Sequence, residues 1–513
     1  VKYLYSILVL LVPFCLSAQD YNRPVPPNFP LYEFQINDSV NVGYYTICPY
    51  SLKRGDTLNQ GMALLDNEGY IAWFRMDSTM YFHELKFYKN HRQFSFITSS
   101  NGIDFQRIVM DTAFTSVDSI GSTFNYLPDM HEYQILNNGN RLTLDRKDST
   151  FDLSAYTFAG NVKGTTTACR SFVIKEIDTG GNTIFEWSST DYIHPTECID
   201  SIYSYNKKSF DYAHGNSVDE DTDGNFIVSL RNTNSIVKIN RKTGKVIWRL
   251  GGKLNEFKLV NDTVWFSGQH DVRRLPNGNI SIFDNMFSKE PQAVSSRALE
   301  LKLDTVNMTA TKVWEYRYSP GFHVPRRGSH QKIANGFRLI NYGESFRPNP
   351  NFALLNPQDS VSATLSFIDS TVTYRARIAA LPYELNRPEI RCNTIEGKMI
   401  LSAPSGYENY LWNTGDTTAF ISVSDTGTYQ VWVNHGIGML GSHPFFLTDP
   451  KTQCLSEPST LSEKATIIGI YDQDGKVIVE PEADRIYIVR YSDQSSALVW
   501  WNEAMQEAYL KSK

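Results

Sequence analysis

Four histidines recur in one setting, each ahead of a tight turn and an apolar-alternating run. They are His131 in "DMHEYQILNNGNRLTLDR", His214 in "YAHGNSVDEDTDGNFIVSLR", His270 in "GQHDVRRLPNGNISIFDN" and His330 in "GSHQKIANGFRLINYG". The second stretch also holds Asn216 and ends on Arg231. Imidazole, with an unperturbed pKa of about 6.5, is mostly neutral near pH 7 and can act as a nucleophile or exchange a proton. A guanidinium presents a planar fork of donors suited to phosphate, sulfate or carboxylate. Glu132 and Asp271 follow their histidines directly and are expected to face away. Histidines with an arginine and no carboxylate describe an oxyanion site better than a metal site, because a close cation opposes metal binding. No Cys-x-x-Cys or Cys/His zinc spacing appears. Duplicated histidines can also be plain structural ties between strands, and that reading stays beside the chemical one.

The surrounding elements explain why such distant histidines would meet. Asn-Gly or Asp-Gly follows each of the first three, and Asn335-Gly336 follows His330. That pair is a strong hairpin signal, with a type I′ turn as the expected geometry. A second half-repeat, strand–Gly turn–strand, ends on Trp187, Trp248 and Trp314, and "MALLDNEGYIAWFR" at 62–75 is a diverged copy. Each unit is then about four short antiparallel strands, the pattern of a β-propeller whose blades bury their faces against one another. Innermost strands start at one mouth of the axial channel, so His131, His214, His270 and His330 are expected to converge there.

The fold expected is all-β: a propeller of about six blades over 19–383, then a small immunoglobulin-like β-sandwich at 384–450 and a C-terminal β-module at 455–513. A length of 513 residues fits several domains, and 41% apolar with 20% charged residues fits a globular chain. The net charge of −6 gives no electrostatic footprint for nucleic acid. "VKYLYSILVLLVPFCLSAQD" has the layout of a secretory signal peptide, residues 1–18. Cys48, Cys169, Cys198, Cys392 and Cys454 remain after it, and Cys169–Cys198 and Cys392–Cys454 are possible bridges in an oxidising compartment.

The run "HGNSV…DGNFIVSLRNTNSIVKIN…GKVIWRLGG", followed by "QHDVRRLPNGNISIFDN", resembles the bacterial arylsulfotransferase family, the PAPS-independent aryl-sulfate sulfotransferases. "SVNVGYYTICPYS…MALLDNEGYIAWFR" is similar to the entry of that family's propeller. The resemblance implies that His270 is a nucleophile transiently sulfated, with His131, His214 and Arg231 catalytic around it and Asn216 binding substrate. His330 has no clear counterpart and is expected on the substrate-binding side. It further implies a phenolic sulfate donor, a phenol acceptor, no cofactor and no metal. The segment "IIGIYDQDGKVI…ADRIYIVRYSDQSS" resembles type IX secretion sorting modules, which implies export to the periplasm, cell surface or medium and contact with secretion machinery or the outer membrane. The rival readings are a non-catalytic propeller that grips a sulfated or anionic ligand, a sulfatase-like hydrolase, and a surface scaffold.

Overall fold

A computed structural model describes residues 23–52, 60–121, 126–156, 164–199, 209–287, 295–395, 397–449, 454–456, 467–482, 485–491, 496–501, 506 and 509. The expected signal peptide lies outside the described residues.

The hairpins set every sheet, and their geometry differs from the turn type expected. In 136–140, 221–225, 275–279 and 333–337, the first residue donates its N–H to the fifth carbonyl and accepts from the glycine N–H, at 2.7–3.0 Å. Only the glycines take positive φ: Gly139 86°, Gly224 78°, Gly278 83° and Gly336 89°. These are three-residue loops, a type I turn closed by a glycine bulge, and not two-residue I′ turns. The residue before each glycine stays at negative φ and caps backbone instead, as Asn277 Oδ1 does by accepting from Asn279 N–H at 3.1 Å.

Among the described residues, six antiparallel sheets follow one another. Four have their antiparallel strands in continuous stretches, within 81–120, 127–188, 215–251 and 270–316, the second and fourth gaining a short parallel strand from Phe210–Asp211 and Lys258–Val260. The other two are built from both ends of the propeller region. Strand Tyr32–Ile36 pairs onto Val361–Phe367 as the outer strand of the sheet that begins at Ser329–Lys332. Strand Arg377–Ala379 pairs onto Tyr44–Ile47 as the inner strand of the sheet that ends at Ile71–Met76.

The six innermost strands form a closed circuit. Lys86 Nζ donates to Tyr133 O (3.1 Å), Gln134 Nε2 to Val218 O, Val272 N to Ser217 Oγ (2.9 Å), His330 N to Asp271 Oδ2 (3.3 Å) and Ile378 N to Gln331 Oε1 (2.7 Å). Arg377 returns the circuit to Glu84 at 2.9 Å. This is an all-β propeller-like architecture, with each sheet leaning on the next around an axis.

Four of these innermost strands carry an irregularity beside a histidine: between His83 and Lys86, between Pro128 and Tyr133, between Gly215 and Ser217, and between His270 and Arg273. Glu84, His214 and Asp271 take positive φ there, at 48°, 50° and 61°. A bulge re-aims the side chains next to it. The histidine goes one way, and the acid that follows His83, His131 and His270 turns to the axis.

At the axis Glu84, Glu132 and Asp271 are fully buried among Lys86, Arg273, Arg375 and Arg377. Arg375 Nη1 lies 2.8 Å from Glu84 and 3.6 Å from Glu132, with Nε 3.5 Å from Asp271. Burial alone would raise the Glu84 and Asp271 carboxyls. Arg375, Lys86 and Arg377 around Glu84, and Arg273, Arg377 and Arg375 around Asp271, outweigh it and hold both well below the usual carboxylate range.

The region beyond the propeller is hydrogen-bonded to it. Gly438–Gly441 pairs with Ile71–Met76 (Met439 opposite Phe74, Leu440 opposite Trp73), so the sheet runs on through Val431–His435 to Tyr410–Trp412. Gln430 Nε2 and Trp432 Nε1 both donate to Ile71 O, at 2.9 and 3.1 Å, and Arg387 pairs with Asp66 at 2.6 Å. The outer strand of that blade is thereby covered, which removes an open edge. Cys392 and Cys454 form one of the two expected disulfides; Cys169 and Cys198, the other pair expected, are both buried and are not bridged to each other. Ile488 and Leu498 of the C-terminal three-stranded sheet pack into the same core as Leu401 and Trp412.

Removing one partner from a dry charge cluster leaves the others unmatched. Arg375→Leu is therefore expected to destabilise the fold by about 3–5 kcal/mol in urea unfolding at pH 7. A second outcome concerns acid. Burial, then Arg327, hold His83 near a pKa of about 3, and burial, then Arg338, do the same for His330. Both rings stay neutral when folded but gain a proton in the unfolded chain below about pH 6.5, so their contribution is present above that pH and is lost as it falls toward 3. Melting temperatures between pH 7 and 4 should drop, and drop less steeply in His83→Gln.

Candidate active site

A cavity of about 430 Å³ lies beside the ionic hub, and His131, His214, Arg231 and His270 all line it. The two are joined directly: Arg375 donates to His131 O at 2.9 Å, and its neighbour Tyr374 is part of the cavity wall.

His270 opens the strand His270–Arg274 and is buried. Its Nδ1 lies 2.7 Å from Asn285 Oδ1 and 3.0 Å from Gly268 O. The Asn285 amide nitrogen is committed to Val324 O and Arg327 O, both at 2.9 Å, so the atom facing His270 is the carbonyl oxygen. Two acceptors at Nδ1 place the proton there and leave a lone pair on Nε2. That nitrogen accepts only a 3.3 Å contact from the Arg327 backbone N–H. Burial first, then the charge of Arg231, holds the His270 pKa well below 6.5, against a smaller opposing effect of the Asn285 hydrogen bond. The ring is a neutral imidazole with a fixed tautomer.

His131 and His214 stand edge to face, centroids 4.9 Å apart. Each is backed by a carboxylate: His131 Nδ1 bonds Asp129 Oδ1, and His214 Nδ1 lies 2.6 Å from Asp211 Oδ2. Burial would raise both acids, but His131 brings Asp129 down to about 2 and His214 keeps Asp211 lowered. Arg231 donates to Asn232 Oδ1 at 2.6 Å and stacks over Phe287 at 4.9 Å. Its backbone N–H bonds His214 O at 3.0 Å, which fixes the two side chains relative to each other.

Two residues expected at the site lie elsewhere. Asn216 is fully buried behind it, donating Nδ2 to Gln269 O (2.8 Å) while its own carbonyl accepts from Arg375 (2.6 Å). It supports the segment carrying His270 and does not line the cavity. His330 lines a different cavity, of about 270 Å³, and stacks on Trp314 with Arg338 3.1 Å from its Nε2. Strand Ser329–Lys332 pairs with its neighbour without a register shift, so nothing re-aims this ring.

Other functional groups were not singled out by the repeat. Asp129 and Asp211 supply the carboxylates that the sequence pattern had placed nowhere near the histidines. Loop 319–328 adds His323, Arg326 and Arg327 to the wall. The signal available was the basic pair in "GFHVPRRGSH", close to a further histidine. Met130, Phe287, Pro325 and Tyr374 complete the wall with apolar surface.

A cavity that joins neutral imidazole, acid-backed histidines and guanidinium at the axis of an all-β propeller can hold an anion and attack it. Residues 99–347, just under half of the chain, match the family model for arylsulfotransferase (ASST). No curated protein matches the chain. Among solved structures, a Bacteroides caccae protein of unknown function shares 11% identity at a TM-score of 0.41, covering 65% of this chain and 98% of its own. The periplasmic gluconolactonase PpgL of Pseudomonas aeruginosa shares 10% at 0.36, covering 66% and 99%. The virginiamycin B lyase of Staphylococcus aureus shares 11% at 0.32, covering 80% and 98%.

Asn285 both sets the His270 tautomer and ties down residues 324–327. Asn285→Ala is expected to lower kcat/KM for a sulfate-ester donor by about 10–100-fold with the fold retained, the range seen when an orienting hydrogen bond is removed from an active group. Steady-state kinetics alongside a melting curve check this.

Proposed function

We propose that the protein is an aryl sulfotransferase that moves a sulfuryl group from a phenolic sulfate ester to a phenol through a sulfohistidine on His270. The observation that carries this reading is the neutral His270 imidazole, its proton held on Nδ1 and its Nε2 met only by a long 3.3 Å contact from the Arg327 N–H, in one cavity with Arg231, His131 and His214. The arylsulfotransferase match over 99–347 supports the same class of activity and the same substrates, a phenolic sulfate donor and a phenol acceptor.

In the first step Nε2 attacks sulfur, the N–S bond forms, and the S–O(aryl) bond breaks with its electron pair left on the phenolate. A proton on His214 or His131, each steadied by its carboxylate, passes to that oxygen. In the second step the same histidine takes the acceptor's phenolic proton, the acceptor oxygen attacks sulfur, and the S–N bond breaks to restore neutral His270. Two easier displacements replace one hard transfer. Charge spreads over the sulfuryl oxygens in each transition state, and the Arg231 guanidinium in the cavity wall can meet it. Nδ1–H remains on Asn285 throughout, so the positive ring of the intermediate keeps a partner.

Release of nitrophenol from 4-nitrophenyl sulfate should rise with added phenol. Quenching after a short exposure to donor alone should leave one sulfuryl group on the peptide that contains His270. Phenol-independent release would make the protein a hydrolase, and a sulfuryl group on the His214 peptide would exchange the two roles. His270→Ala should abolish both signals.

A further inference from the structure

The cavity holds more positive charge than one sulfate ester requires. Arg231, Arg326 and Arg327 line it against a single lining carboxylate, Asp211, which is already bonded to His214. An aryl sulfate carries one negative charge, and Arg231, beside His270 in the same wall, is placed to answer it. Arg327 forms an ion pair with Glu344 at 3.6 Å but makes no hydrogen bond through Nη1, so the charge left over in the wall is that of Arg326. Arg326 is exposed at the cavity edge and, among the described residues, forms no ion pair.

Arg326 is also held in place from below. Val324 and Arg327 carbonyls both accept from the buried Asn285 amide, and Val324 N–H donates to Ser296 Oγ at 2.8 Å. Arg327 sits at φ 64° between Arg326 and Gly328, itself at φ 106°. The loop therefore presents two adjacent guanidiniums from a fixed backbone. The apolar part of the wall is Met130, Phe287, Pro325 and Tyr374, which suits one aromatic ring, and about 430 Å³ is room for a substituted ring.

We propose that Arg326, with Arg327 beside it, selects donors and acceptors whose aromatic ring bears a second anionic group, in the simplest case a ring carboxylate. Because both half-reactions use one cavity, the preference extends to sulfate esters and to free phenols alike. The proposal rests on the sulfotransfer reading and adds the substrate class to it.

The test uses the full chain with two donors that release nitrophenols of similar acidity, 4-nitrophenyl sulfate and 3-carboxy-4-nitrophenyl sulfate, whose carboxylate lies meta to the ester oxygen, and phenol held fixed as acceptor. The readout is the ratio of kcat/KM, carboxylated over plain. A ratio above one by about fivefold is expected in the wild type, the scale of an exposed ion pair. It should collapse toward one in Arg326→Ala, invert in Arg326→Glu, survive in part in Arg326→Lys, and shrink as salt is raised. A wild-type ratio of one, or a ratio that survives Arg326→Glu, overturns the inference while leaving sulfotransfer intact. If neither ester turns over, the transfer reading fails instead, and selectivity is then read from direct binding of the two esters to the wild type, where equal affinity overturns this inference as well. Tighter competition by a sulfated oligosaccharide than by the carboxylated ester would also overturn it, in favour of an extended polyanion.

Discussion

Buried, mutually paired charge at the centre of the ring is the constraint on which the rest depends. Glu84, Glu132 and Asp271 come from three different inner strands, and Arg375 and Arg377 come from the segment that returns to close the circle. Unmatched, each would be costly to bury; together they leave little freedom in where the strands begin. The histidine before each of these acids inherits that placement. His131 and His270 reach the cavity because Glu132 and Asp271 are held below, and because the irregularity between them turns two neighbouring side chains to different duties. Structure and candidate chemistry are thus two outputs of one local device.

The cavity divides its histidines by their second nitrogen. His131 and His214 lean on the carboxylates of Asp129 and Asp211. His270 leans on a neutral amide, is buried beside Arg231, and stays uncharged. The same amide grips residues 324 and 327, so the tautomer of His270 and the position of the basic loop are set by a single buried side chain.

Much of this was legible in the chain itself. The recurrence of a histidine, a turn and an alternating run marked the inner strands, whereas the expectation of histidines without carboxylates failed, because Asp129 and Asp211 back two of them. What escaped has physical reasons. His330 carries the same local signature as His270, but the difference is an inserted residue in the ladder, which no composition reveals. His83 went unnoticed because its hairpin turns at Asn90–Arg92 without an Asn-Gly pair, Arg92 taking φ 52°. Asp129 and Asp211 precede their histidines by unequal offsets, two residues and three, so the repeat could not show them. The joining of 438–441 to 71–76 is a pairing across more than 360 positions, invisible to any local pattern.

The stitching of two sheets from opposite ends of the propeller region bears on how the molecule is made. A ribosome releases Tyr32–Met76 long before Val361–Ala379 exists, so the first blade emerges without its central strand and Tyr32–Ile36 emerges without the sheet it completes. The four continuous blades can assemble in order during translation. The circle, its buried charges and the pocket above them arise only at the end, which ties the appearance of any catalytic competence to the near completion of the polypeptide.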